Sequence, residues 1–178
     1  MKWHQDRHIT AFRFAAGAHQ DQFVPGTRIQ YIYHLGLVAM EVIASLVAES
    51  GRDEDLAVTV ALLHDTLEDT RVTREELEAS FGRPVADGVG ALTKKDAPGG
   101  RTKMDDSLAR IREQPREIWM VKMADRITNL APPPPHWEPD KIQAYHREAI
   151  LIYESLREGS SFLAGRLKDK IEAYRAYF

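Results

Sequence analysis

Cysteine is absent from the 178 residues, which excludes a disulfide framework and any thiolate-bound metal, and fits a reducing compartment. Charge of one sign is also lacking. The 24 Lys and Arg against 27 Asp and Glu leave a formal net charge of −3, unlike the basic footprint of a duplex nucleic-acid binder. No run approaches the roughly 18 consecutive apolar residues of a membrane span. Met1–His8 is polar, without the apolar core of a signal peptide. A cytoplasmic protein is therefore expected, with neither a membrane nor a nucleic-acid polymer among its partners. Internal repeats and sustained period-two alternation are missing too, so nothing indicates a repeat architecture or a sheet.

What is present is a 43% apolar, 29% charged composition, ordinary for a globular chain, and a length suited to one hydrophobic core. Helical periodicity runs nearly throughout. Leu35, Val38, Val42 and Leu46 recur at spacings of three and four, as do Leu56, Val60, Leu63 and Leu67. Gly51 is expected to stop the first of these helices, and Asp53 to cap a second over 53–70. Thr73-Arg74-Glu75-Glu76 has the capping-box pattern and opens a short helix ending near Phe81-Gly82. Pro84 suits the first turn of a helix running to Leu92, weakened by Gly88 and Gly90. Ala97-Pro98-Gly99-Gly100 signals a loop. Pro115 opens a helix carrying Ile118 to Leu130, which the prolines at 132–135 must end. Two amphipathic segments follow, about 138–158 and 161–176. The expectation is an all-α, compact, single-domain fold over 1–178, with loops at 20–33, 95–103 and 131–137.

Three groups of residues carry chemistry. On a helix over 53–70, His64 and Glu68 form one i,i+4 pair on the flank of the apolar stripe, and Asp65 and Asp69 a second further round. Acidic residues after an apolar run are commonly a solvated face, but His64 borders the stripe and would be half buried. Lys122, Asp125, Arg126 and Asn129 fall at i, i+3, i+4 and i+7, one polar face beside a stripe with Met120, Met123, Ile127 and Leu130. Tyr31-Ile32-Tyr33-His34 places a histidine where a helix starts after a polar loop. Each group alone is commoner as surface or packing than as a site.

The ordered set is far more specific. Tyr-Ile-x-His, then His64-Asp65-Thr66-x-Glu68-Asp69-Thr70, then Lys122-Met123-Ala124-Asp125-Arg126-x-x-Asn129-Leu130 resembles the HD-domain metal phosphohydrolases. More narrowly it is similar to their (p)ppGpp hydrolase branch, the hydrolase domains of bifunctional alarmone enzymes and the small alarmone hydrolases. The resemblance runs from about Ala15 to Tyr145. It implies a helical HD-domain fold, with His34, His64, Asp65 and Asp125 as ligands of a divalent metal. That nitrogen and oxygen set suits Mn²⁺, Fe²⁺ or Zn²⁺, and the family points to Mn²⁺. Glu68 and Asp69 would position and deprotonate the attacking water. Asn129, Lys141 and Tyr145 match substrate-contacting positions. Lys94 and Lys95, with Arg101 and Lys103 near them, would offset substrate charge. The implied partner is a small purine nucleotide bearing a 3′-pyrophosphate.

The chain departs from the family pattern in three places. After His19-x-x-Gln22 the usual Arg-Lys pair is replaced by Phe23-Val24, leaving Arg28 as the nearby cation, and Gln30 and Leu35 stand where the family has proline. Phe23 would stack on a purine and tolerate adenine as well as guanine. Two other functions stay open on the residues. One is hydrolysis of nucleotide 3′-phosphates or 5′-monophosphates; the other is a catalytically silent nucleotide-sensing module, against which the intact Glu68-Asp69 pair argues. The C-terminal helices with Leu151, Tyr153, Leu156, Phe162 and Leu167 either pack inward or form the face of a homo-oligomer.

Overall fold

The computed structural model describes residues 3–96 and 102–178. The loop expected at Ala97–Gly100, and Arg101, lie outside them. In chain order the helices are α1 (Gln5–Ala18), α2 (Ile32–Ala48), α3 (Glu54–Leu63), α4 (Thr66–Asp69), α5 (Arg74–Phe81), α6 (Arg83–Leu92), α7 (Lys103–Arg112), α8 (Arg116–Asn129), α9 (Pro139–Leu156) and α10 (Ser161–Tyr174). Among the described residues the β structure is a single antiparallel bridge, Phe23 with Gln30, inside the loop before α2. The fold is all-α, as the periodicity requires.

Local chemistry sets the helix ends. The Asp53 carboxylate accepts the Leu56 amide at 2.9 Å and caps α3. Thr73 and Glu76 bond reciprocally at the start of α5, completing the capping box. Pro84 sits in the first turn of α6. α2 ends at Ala48, three residues before Gly51, whose φ of +82° turns the chain toward α3. α8 runs from Arg116, with Pro115 at its N-cap, and stops at Asn129 before the prolines.

The expected helix over 53–70 is instead broken at His64-Asp65, between α3 and α4. Side chains take carbonyls that a continuing helix would give to backbone amides. His64 Nδ1 lies 2.9 Å from the Ala61 carbonyl, and the Thr66 hydroxyl donates to the Leu63 carbonyl at 2.6 Å. The step re-aims His64 and Asp65 from separate flanks toward one point.

α2, α3 and α8 pack against one another at the centre; α1 lies on α3, α6 on α3 and α5, and α9 and α10 on α8. Leu35, Val38, Val42, Val60, Leu63, Ile118, Met120 and Met123 are fully buried between them. Each large apolar side chain withdrawn this way contributes about 1.5–3 kcal/mol. Leu156, Leu163 and Leu167 are buried and Tyr153 and Phe162 partly so, so the C-terminal helices mainly pack inward; Leu151 is exposed. Among the described residues no helix is long and apolar enough to cross a membrane.

Candidate metal centre and the cavity beside it

His34 enters from the first turn of α2, His64 and Asp65 from the break between α3 and α4, and Asp125 from α8. His34, His64 and Asp125 each offer a donor atom within 4.8 Å of the others, and all three are buried. Asp65 joins them: its Oδ2 is 3.6 Å from His34 Nε2 and 3.0 Å from His64 Nε2. Asp125 Oδ1 is 3.6 Å from His34 Nε2 and 3.9 Å from His64 Nε2. The four expected ligands therefore converge. His64, expected half buried on a helix flank, is only 3% exposed.

The donor chemistry fits a divalent ion. A carbonyl only accepts, so the Ala61 contact puts a proton on His64 Nδ1 and leaves Nε2 as the free lone pair of the neutral ring. That Nε2 is buried and faces the Asp65 carboxylate at 3.0 Å without the alignment of a hydrogen bond. A buried imidazole nitrogen aimed inward among two carboxylates and a second imidazole belongs to a donor set suited to a divalent cation.

Supporting groups hold the candidate ligands in place. Tyr31 donates its phenol to Asp65 Oδ2 at 2.6 Å. Lys122 Nζ donates to Asp125 Oδ2 at 3.0 Å and the Asn129 amide to Asp125 Oδ1 at 2.6 Å. The Thr128 hydroxyl lies 3.4 Å from His34 Nδ1. Burial works against every charge here, but partners override it at three ligands. It opposes a charged His64, yet Asp65 and Asp125 raise that imidazole to about 9. It opposes ionised Asp65, yet His64 brings the carboxyl down to about 2. Burial also opposes ionised Asp125, yet Lys122, His34 and His64 together hold it well below the carboxylate range. Burial followed by Asp65 drives the Tyr31 phenol far upward, so it remains a donor.

A cavity of about 150 Å³ adjoins the cluster, lined by His64, Asp65 and Asp125 with Glu68, Asp69, Lys94, Asn129 and Tyr145 among others. Glu68 is fixed at its rim, its Oε2 accepting the Lys94 amide at 2.7 Å and its Oε1 lying 3.9 Å from Lys94 Nζ. Asp69 is raised in pKa, first by burial and then by Asp65 and Glu68, which suits a proton acceptor. Tyr145 lies under Arg126, whose guanidinium carbon is 4.0 Å from the ring centroid. Arg28, Lys95 and Lys141 do not line the cavity. Arg28 and Lys95 are exposed, and the Lys141 ammonium lies 4.3 Å from the Trp137 ring centroid.

Several members escaped the sequence reading. Lys122 and Arg126, placed by spacing on a polar face, are 5% and 3% exposed. Tyr31 was visible only as part of a string. Gln22, whose amide donates to the Asp69 carbonyl at 2.6 Å, carried no signal beyond its place in His19-x-x-Gln22. Only the spacing of Lys122 from Asp125 announced a contact.

An all-helical protein with paired histidines and aspartates from three elements meeting at a buried centre that could hold a metal defines a class, and the chain belongs to the HD domain family, whose pattern matches residues 11–160. Within it the chain is 33% identical over 170 residues to guanosine-3′,5′-bis(diphosphate) 3′-pyrophosphohydrolase MESH1 of Xenopus tropicalis, spanning 89% of each chain. It is 32% identical over 163 residues to the Haemophilus influenzae guanosine-3′,5′-bis(diphosphate) 3′-pyrophosphohydrolase, covering 87% of this chain but 23% of that longer one. A solved structure of a metazoan ortholog of SpoT that hydrolyzes ppGpp has the same fold, with a TM-score of 0.80 over all of both chains at 21% identity.

Proposed function

We propose that this chain is a metal-dependent hydrolase that removes the 3′-pyrophosphate of (p)ppGpp-type alarmones, as the names of its relatives describe for them. The observation that carries the reading is the convergence of His34, His64, Asp65 and Asp125 beside a cavity rimmed by Glu68 and Asp69. The whole chain, 1–178, acts as one hydrolase domain in the cytoplasm, with Mn²⁺ as its ion. A bound divalent ion supplies a Lewis acid for a phosphoryl oxygen and lowers the pKa of water from about 15.7 to about 7.

The chain's own residues do the rest. Glu68, anchored by the Lys94 amide, orients the attacking water, and Asp69 accepts its proton, a contribution of about 10²–10⁴ in rate. Tyr31 and Lys122 keep Asp65 and Asp125 facing inward. Lys94 offsets phosphate charge at the rim, and Asn129 and Tyr145 bound the nucleotide side. Arg28, Lys95 and Lys141 act further out, on the rest of the substrate. With Phe23 in place of a cation and 47% exposed, the loop before α2 offers a ring rather than a charge to the base. Turnover of adenosine as well as guanosine alarmones follows from that ring. Strict guanine preference that persists in Phe23→Ala would contradict it.

The deciding experiment offers Mn²⁺-loaded protein a panel of nucleotides bearing a 3′-pyrophosphate, a 3′-phosphate or only a 5′-phosphate. Pyrophosphate release from the first group alone is expected. Preferential turnover of either other group would assign the site to another HD phosphohydrolase reaction, and tight alarmone binding without release would assign it to sensing.

A further inference from the structure

We propose that His19 is a positioning residue for the reaction, a ring outside the metal centre that sets the water-handling Asp69 through Gln22. This deepens the hydrolase reading and rests on it. His19 follows α1 as its C-cap and is 2% exposed, yet it is none of the four candidate ligands and does not line the cavity. Its backbone amide closes α1 on the Ala15 carbonyl at 2.9 Å, which leaves the ring with no part in the cap. The ring's Nδ1 lies 2.7 Å from Gln22 Oε1, and the other end of that amide, Nε2, donates to the Asp69 carbonyl at 2.6 Å. With the amide nitrogen spent on a carbonyl, the amide oxygen faces the ring. An oxygen of that kind only accepts, so His19 Nδ1 carries the proton.

The carbonyl that Gln22 takes is one that α4 leaves open. α4 is a single turn ending at Asp69, and Thr70 after it is extended, so no helical amide follows to meet its last carbonyls. Gln22 supplies the donor at the residue whose carboxylate accepts the proton. Without the His19 proton nothing distinguishes the two ends of the Gln22 amide, and a turned amide sets oxygen against the Asp69 carbonyl. The same ring steadies the other leg of the loop before α2. It stacks on Tyr31, 5.0 Å between centroids and 27° between planes. The Tyr31 amide donates to the Gln22 carbonyl at 2.9 Å, and its phenol holds Asp65. His19 thus touches two loop residues that reach the α3–α4 break, Gln22 at Asp69 and Tyr31 at Asp65.

Two substitutions separate the hydrogen bond from the stacking. His19→Phe keeps a ring for Tyr31 and removes the donor, whereas His19→Asn keeps a donor at the Nδ1 position and removes the ring. On whichever nucleotide of the panel the unaltered protein turns over, His19→Phe should lower kcat about 10²-fold, the cost of a misplacement of about 1 Å. KM and Mn²⁺ affinity should not change, and His19→Asn should restore most of the rate. Gln22→Leu should reproduce the loss, and the double variant should be no worse than either single one, because both break one chain of bonds. The Asp69 carbonyl carbon resonance, recorded without paramagnetic Mn²⁺, reports the Gln22 bond independently of turnover. It should move in His19→Phe and Gln22→Leu and return in His19→Asn. Gln22→Leu, at a half-buried position, carries the same readouts should His19→Phe not fold. No turnover by the unaltered protein would count against the hydrolase reading and this role with it. An unmoved resonance, an unchanged kcat, additive losses or a parallel loss of Mn²⁺ affinity in the variants would overturn the role of His19 alone.

Discussion

On the His64 ring, Nδ1 is committed to the Ala61 carbonyl, so a proton and a metal ion must compete for Nε2. In the metal-free protein that imidazole sits at about 9, because Asp65 and Asp125 outweigh the opposing effect of burial. The sign follows directly. A raised pKa means the stabilising protonated form is complete below about 6.5 and is lost as pH rises through about 9, which is when the ligand form appears. Metal affinity should therefore climb about tenfold per pH unit between pH 6.5 and 8.5, as calorimetric titration with Mn²⁺ would measure. A flat profile would mean that Nε2 is not a ligand. The two aspartates add no slope in that window, since Asp65 lies at about 2 and Asp125 well below the carboxylate range. Substitutions separate binding from turnover at the same scale. His64→Ala and Asp125→Ala should abolish Mn²⁺ binding. Glu68→Gln should bind Mn²⁺ normally while losing about 10²–10⁴ in kcat; retained turnover would remove Glu68 from water handling.

At the scale of helices, α6 shows how closely elements approach to build the centre. A Cβ on Gly88 would stand 2.5 Å from Ile118 Cδ1 and 3.3 Å from Val60 Cγ2, so glycine there lets α6 press onto α3 and α8. Ile118 is fully buried and has little room to yield. Alanine would gain about 1 kcal/mol of helix propensity but incur about 1–3 kcal/mol of overpacking. Gly88→Ala should thus lower Tm by a few degrees, while Gly17→Ala in α1, with nothing within 4 Å of its Cβ, should raise it. Differential scanning calorimetry on the pair distinguishes packing from propensity. Gly88 also marks where the sequence stops being legible. Its cost to a helix was visible, but its contact with Ile118 joins residues from different helices, and no local pattern encodes that. The helices α2, α5, α6, α8, α9 and α10, the capping box and the Asp53 cap were legible, because periodicity and caps are local, whereas α1 and α7 were given no bounds. The break at His64-Asp65 was not, because it depends on an imidazole and a hydroxyl taking two carbonyls in a run that otherwise has helical spacing. The ligands could be named as types in order, yet their convergence needed the break. Spacing put Lys122 and Arg126 on a polar face, but their burial was not legible because charge alone does not report it.

At the scale of the whole molecule, the proposed ligand set ties together the start of α2, the α3–α4 junction and α8, elements separated along the chain but packed at its centre. An ion held by all of them binds only the folded state, since the unfolded chain disperses the four groups. Free metal at 100 times its dissociation constant should then add about 2.7 kcal/mol of stability. For a domain of this length that corresponds to a Tm increase of roughly 5–11 °C. Thermal unfolding in Mn²⁺ and in EDTA measures the difference, and Asp125→Ala supplies the control. It lacks one ligand, so its Tm should be the same in both buffers, whatever its intrinsic stability. Glu68→Gln should keep the full metal-dependent increase, because Glu68 lies at the cavity rim and is anchored by the Lys94 amide rather than by the ligand cluster. An increase that persisted in Asp125→Ala would place the stabilising ion elsewhere. No increase in the unaltered protein would mean that the buried His64 nitrogen is satisfied by something other than a metal.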